Sequence, residues 1–156
     1  MRRSMHIPGI CLLICLPAAL GGQALAAPPA TKDEATAMVK DAIAFIKKNR
    51  PAAAYAEISN KSGKFVDRDL YVVVYRLDGH VLAHGANEKL IGTDQSNATD
   101  VDGKAFVKER IELAHKQPTF WQVYKFKNPV TQQTERKQMY CERYEDTAVC
   151  AGVYEF

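Results

Sequence analysis

Between positions 32 and 49 the apolar residues recur at helical spacing. Ala35, Met38, Val39, Ala42, Phe45 and Ile46 form one stripe, and Lys40, Asp41, Lys47 and Lys48 occupy the other side. Thr31, with Glu34 three residues on, reads as a capping box, so the pattern predicts a helix over 32–49. Pro51 restarts the chain, and 52–58 predicts a short second helix. The period then changes. Leu70, Tyr71, Val72, Val73, Val74 and Tyr75 are β-branched or aromatic and too short a run to prefer helix. Asp78 and Gly79 follow, then His80, Val81, Leu82, Ala83 and His84, which predicts a β-hairpin. After an irregular stretch over 85–102, a helical period returns over 103–117 through Phe106, Val107, Arg110, Ile111 and Ala114, with Asp102 as its expected cap and Pro118 as its stop. Residues 119–127, 138–143 and 147–154 read as three further strands.

Strands grouped apart from helices predict an α+β fold with an antiparallel sheet. The long N-terminal helix is expected to cover one face of five strands in a PAS-like layout. The irregular crossover is expected to cover the other face and to leave a cavity for a small ligand.

The start of the chain reads as a separate unit. Arg2 and Arg3 precede an apolar stretch over 7–20, and Ala24, Leu25 and Ala26 supply the small residues of a signal-peptidase site. The stretch is short of the roughly 20 residues that span a bilayer, and Pro8 and Pro17 interrupt it. The expectation is a cleaved signal peptide over 1–26, a domain over 27–156, and a place in the periplasm or outside the cell. Setting aside Arg2 and Arg3, Lys plus Arg falls from 21 to 19 against 18 Asp plus Glu. That near-balance argues against a nucleic-acid or anionic-membrane partner.

Cys141 and Cys150 are the two thiols that remain after cleavage. If the turn between the last two strands centres between Glu145 and Asp146, position 141 faces position 150. A structural disulfide is then the expected outcome in an oxidising compartment. A redox-active pair would want CxxC spacing, which is absent.

Taken together, several segments resemble the single Cache domains (type 2) of bacterial extracytoplasmic sensors. They are Gly63 to Asp67; Asp69 to Tyr75; Gly79 to Asn87, which contains "VLAHGAN"; Leu90, Ile91 and Gly92; Asp102 to Val107; Trp121 to Tyr124; Asn128 to Thr131, "NPVT"; and Ala151 to Tyr154. The resemblance spans about 35–154. It implies a PAS-like sensor fold that binds small molecules, often short organic acids, and that commonly sits on a receptor or histidine kinase between two membrane helices. With no second apolar span in the sequence, the expectation is a module lacking its own output domain that passes its signal to a separate membrane sensor protein. It also implies that Trp121, Tyr124, Lys137 and Tyr140, aromatic and basic positions of the later strands, line the ligand site. A small carboxylate needs a cation or several N–H and O–H donors between aromatic walls. In a regular strand, however, residues three apart point to opposite faces, so these four share one pocket only if bulges intervene.

His84 is expected as a neutral hydrogen-bonding residue of the pocket or the core, and is counted among the candidate ligand-binding residues. His80 and His84, four apart on a strand, fall on one face, but no third ligand is placed for a metal. Asp100, Asp102 and Glu109 approach an EF-hand spacing whose first ligand position would be Ala98, a poor calcium loop. No nucleophile elbow, HExxH, haem or phosphate-loop motif occurs. The sequence therefore points to a binding module without cofactor or catalytic residue. The alternative is a periplasmic protein-interaction module whose pocket has closed and which partners a membrane sensor.

Overall fold

The computed structural model describes residues 27–155, so the expected signal peptide lies outside the described residues. Helix α1 (Lys32–Lys48) begins where the capping box requires: Thr31 Oγ1 accepts from the Glu34 backbone N–H, and the Glu34 carboxylate accepts from the Thr31 N–H. Pro51 occupies the first turn of α2 (Pro51–Ile58), where its missing N–H costs nothing. Six antiparallel strands follow: β1 (Val66–Asp67), β2 (Leu70–Arg76), β3 (Val81–His84), β4 (Thr119–Lys127), β5 (Thr134–Tyr144) and β6 (Thr147–Glu155). Helix α3 (Phe106–Lys116) lies in the crossover between β3 and β4.

The strands run β2, β6, β5, β4 across the sheet, and β1 and β3 both pair with the outer edge of β2. The α+β class and the long helix on the sheet are as expected. The strand count is one higher, because β1 is a two-residue strand and too short to carry a periodic signal. Strand β5 begins at Thr134, earlier than position 138; Thr134 and Glu135 lack an apolar signal but pair with Lys127 and Phe126.

The sheet has two buried faces. Leu70, Val72, Val74, Val149, Ala151 and Val153 meet Val39, Ala42, Ile43 and Ile46 of α1. Tyr71, Val73, Tyr75, Cys150 and Tyr154 meet Phe106, Val107 and Ala114 of α3. This double cover explains why β2 and β6 read as unbroken apolar runs rather than alternating ones.

Two local expectations are corrected. Asp102 does not cap α3: Gly103, at φ +81°, turns the chain first, and the helix starts after Ala105 with no side-chain cap. Asp102 instead pairs with Lys125 at 2.9 Å. His80 and His84 do not share a face. Tyr75 pairs with Val81 but Val74 pairs with Ala83, so Leu82 is an extra residue and the bulge reverses the alternation. His80 stays near the surface beside Asp78, 3.1 Å away, whereas His84 is buried under the α3 layer.

Candidate functional site

The register of β4 against β5 decides which candidate residues meet. Trp121 stands opposite Tyr140, and Tyr124 opposite Lys137. No bulge interrupts this pairing, so the two pairs face opposite sides of the sheet. Trp121 and Tyr140 lie on the α1 side, with ring centroids 5.1 Å apart. There the Lys32 ammonium covers Trp121, and the Tyr140 hydroxyl donates to Glu142 at 2.7 Å. Tyr124, Lys137 and His84 lie on the α3 side. The five candidates therefore split three and two.

On the α3 side a cleft of about 330 Å³ opens between Tyr71, His84, Ala86, Asn87, Phe126 and Pro129. His84 Nδ1 accepts from the backbone N–H groups of Ala86 (3.2 Å) and Asn87 (3.0 Å), which assigns the proton to Nε2. Burial above all, with the nearby Arg110 guanidinium, holds its pKa down to about 3, so the imidazole is neutral at any physiological pH.

Beneath Tyr71 lies Lys137, fully buried, with Nζ 3.8 Å from the Tyr71 ring centroid and 4.3 Å from that of Tyr154. Its hydrogen bond goes to the Tyr154 hydroxyl at 3.1 Å. That hydroxyl donates to the Lys127 carbonyl at 2.9 Å and also lies 3.1 Å from the Tyr71 hydroxyl. Burial, then Arg110, push the Lys137 amine well below the ordinary lysine range.

Arg110 is the residue that the candidate set lacks. It comes from α3, is fully buried, and places its guanidinium carbon 4.8 Å from the Tyr75 ring centroid and 5.2 Å from that of Tyr124. Nε donates to Gln122 Oε1 at 3.1 Å; Nη1 and Nη2 have no protein acceptor in good hydrogen-bond geometry, although the Tyr75 and Tyr124 hydroxyls lie close enough to favour the charged form. Buried polar groups are nearly always satisfied, and an unpaired buried charge is costly. Cation–π contact offsets part of that cost. A signal for Arg110 was present in the sequence: it falls on the apolar stripe of its helix, where a charge needs a reason. Tyr71 and Tyr154 gave no such signal, since aromatic residues in strands are ordinary core.

A groove of equal volume, about 330 Å³, runs beside α1 on the other face, lined by Asp41, Phe45, Lys48, Lys64 and Phe65. The Lys64 ammonium lies over the Phe45 ring there, and no buried orphan group points to a ligand. The Cys141–Cys150 disulfide joins directly paired residues of β5 and β6, Cα atoms 4.1 Å apart. Among the described residues no three His, Cys, Asp or Glu side chains are grouped to hold a metal. Nor, among them, is any helix long and apolar enough to cross a membrane.

Solved structures share this architecture. A methyl-accepting chemotaxis protein from Vibrio parahaemolyticus is 21% identical, with a TM-score of 0.68 over 79% of this chain and 87% of its own. A structure described as the basis for carboxylic acid recognition by a Cache chemosensory domain is 22% identical, with a TM-score of 0.70 over 80% and 92%. A periplasmic sensor domain of a chemotaxis protein is 20% identical, with a TM-score of 0.63 over 80% and 90%. No curated protein matches the chain. The family model for the single Cache domain 2 matches residues 23–155. The chain belongs to the single Cache domain 2 family.

Proposed function

We propose that this protein is a periplasmic or secreted sensing module that binds a short organic acid on the α3 side of its sheet, and that it passes occupancy to a separate membrane sensor. The single observation that carries the reading is Arg110: a fully buried guanidinium that, among the described residues, has no carboxylate partner and only tyrosine hydroxyls beside its terminal nitrogens. A carboxylate is the natural partner for that fork, because two parallel N–H···O bonds match its geometry. Lys137 supplies a second nitrogen, His84 Nε2–H a neutral donor, and Tyr71 and Tyr124 the aromatic walls. Trp121 and Tyr140, on the far face, have no part in this site. The carboxylic acid recognition described for one solved structure of similar fold supports the ligand class. The signal-like start and the periplasmic relative support the location.

The test is calorimetric titration of the domain over 27–156 with acetate, propionate, pyruvate and lactate, each beside its amide. The expected result is saturable binding of at least one acid and none of its amide. A flat response to the whole panel, or equal binding of acid and amide, overturns the reading.

A further inference from the structure

We propose, resting on the carboxylate reading above, that the site takes up a proton together with its acid, that the proton lands on Nζ of Lys137, and that the protein thereby registers acid and acidity as one signal.

The geometry around Nζ carries the inference. Every element packed around it presents a group. From β2 comes Tyr71, with Asp69 just before it; from β6, Tyr154; from β4, Tyr124, directly opposite in register; from β3, His84; from α3, Arg110. Glu135, on β5 itself, is bound to Asn128 and Thr131. The three tyrosines are held protonated by burial, and His84 is neutral. Among the described residues Asp69 is the one buried carboxylate, and its Oδ2 has no hydrogen-bond partner. Its Oδ1 accepts from the Ala30 N–H at 3.3 Å, and among the described residues Lys137 makes no ion pair with Asp69.

The free site therefore holds the permanent charge of Arg110 with no counter-ion in contact. A second cation beside it would add repulsion to the cost of burial. Arginine cannot release a proton in a protein, but lysine can. The depressed affinity of the Lys137 amine for protons agrees with this division. An incoming carboxylate reverses the balance. Nζ accepts a proton from solvent, the amine becomes an ammonium, and the pair of new charges leaves the net charge of the site unchanged. Lys137 then has a higher pKa in the complex than in the free protein. Binding must tighten as pH falls between those two values, by up to about tenfold per pH unit, and level off below the lower one.

The experiment is calorimetry of acetate binding at about pH 7.5 in phosphate and in Tris, whose different ionisation enthalpies report the protons exchanged. The expected result is uptake approaching one proton per acetate, lost in Lys137→Met. In the free protein, the NMR resonance of the Lys137 Cε should sit at the neutral-amine position. An ammonium resonance there, or acetate binding without proton uptake, overturns this inference alone. Failure of acetate and of every other acid in the panel to bind overturns the carboxylate reading, and this inference falls with it.

Discussion

His84 lies over Tyr71 with ring centroids 5.1 Å apart and planes 24° apart, and its Nδ1 is committed to two backbone N–H groups. The ring has no room to become cationic, and its pKa is lowered to about 3, chiefly by burial. In the unfolded chain the same histidine titrates near 6.5. Between those values the unfolded state binds the extra proton, so this contribution to stability is complete above the upper value and drains away as pH falls. The expected loss is about 1.4 kcal/mol per pH unit. His84→Asn retains an acceptor for Ala86 and Asn87 without a titrating ring. Urea unfolding at several pH values between 4 and 7 should show a shallower pH dependence for the variant by about one proton. Parallel curves for the two proteins would refute this.

Arg110→Met separates binding from stability. The substitution removes a buried charge with no counter-ion in contact; Gln122 Nε2 stays bonded to the Phe106 carbonyl and to Glu109, while Gln122 Oε1 loses its one donor. The free variant should be as stable as the parent or more so, by up to about 1–3 kcal/mol, since relief of desolvation outweighs the lost cation–π contacts. Its thermal shift with acetate should vanish. A strongly lowered Tm would show that the guanidinium is structural cement.

The Cys141–Cys150 bond closes a short loop across a hairpin whose register is already set by the pairing of β5 with β6. Removing it in Cys141→Ala/Cys150→Ala should cost about 2–3 kcal/mol through the freed unfolded chain, without loss of the fold. Denaturant melts with and without reductant measure the difference, and the double variant should not respond to reductant.

Gly152 leaves no room for a side chain. A Cβ there would lie 2.6 Å from the Gln138 carbonyl oxygen and 2.8 Å from the Met139 Cα, both backbone of the neighbouring strand. Gly152→Ala should therefore destabilise by about 1–3 kcal/mol, because β5 cannot yield as a flexible side chain would. A melting temperature equal to the parent's would show that the strand shifts freely.

Much of the architecture was legible because it is local. The stripe from Ala35 to Ile46, the Thr31–Glu34 box, the Asp78–Gly79 turn and the spacing of Cys141 and Cys150 each act within a few residues, and all hold in the structure. The site was only partly legible. His84, Tyr124 and Lys137 do share one covered face, while the β4–β5 register carries Trp121 and Tyr140 to the other. Alternation alone already required that split. Arg110 was legible only in part: its place on the apolar stripe with Phe106, Val107 and Ala114 marks it as exceptional, but the stripe does not say which groups the guanidinium meets.

The sequence by itself determined the elements, the antiparallel class and the disulfide partners, since helical period, turn chemistry and strand alternation are properties of neighbouring residues. Only the tertiary structure decided that Arg110 of α3 and Lys137 of β5 are both buried on one face of the sheet with no side-chain carboxylate in contact, and that the bulge at Leu82 turns His84 inward and His80 out. Whether a charge has a partner depends on distances between elements remote in the chain, and local pattern carries no information about those distances.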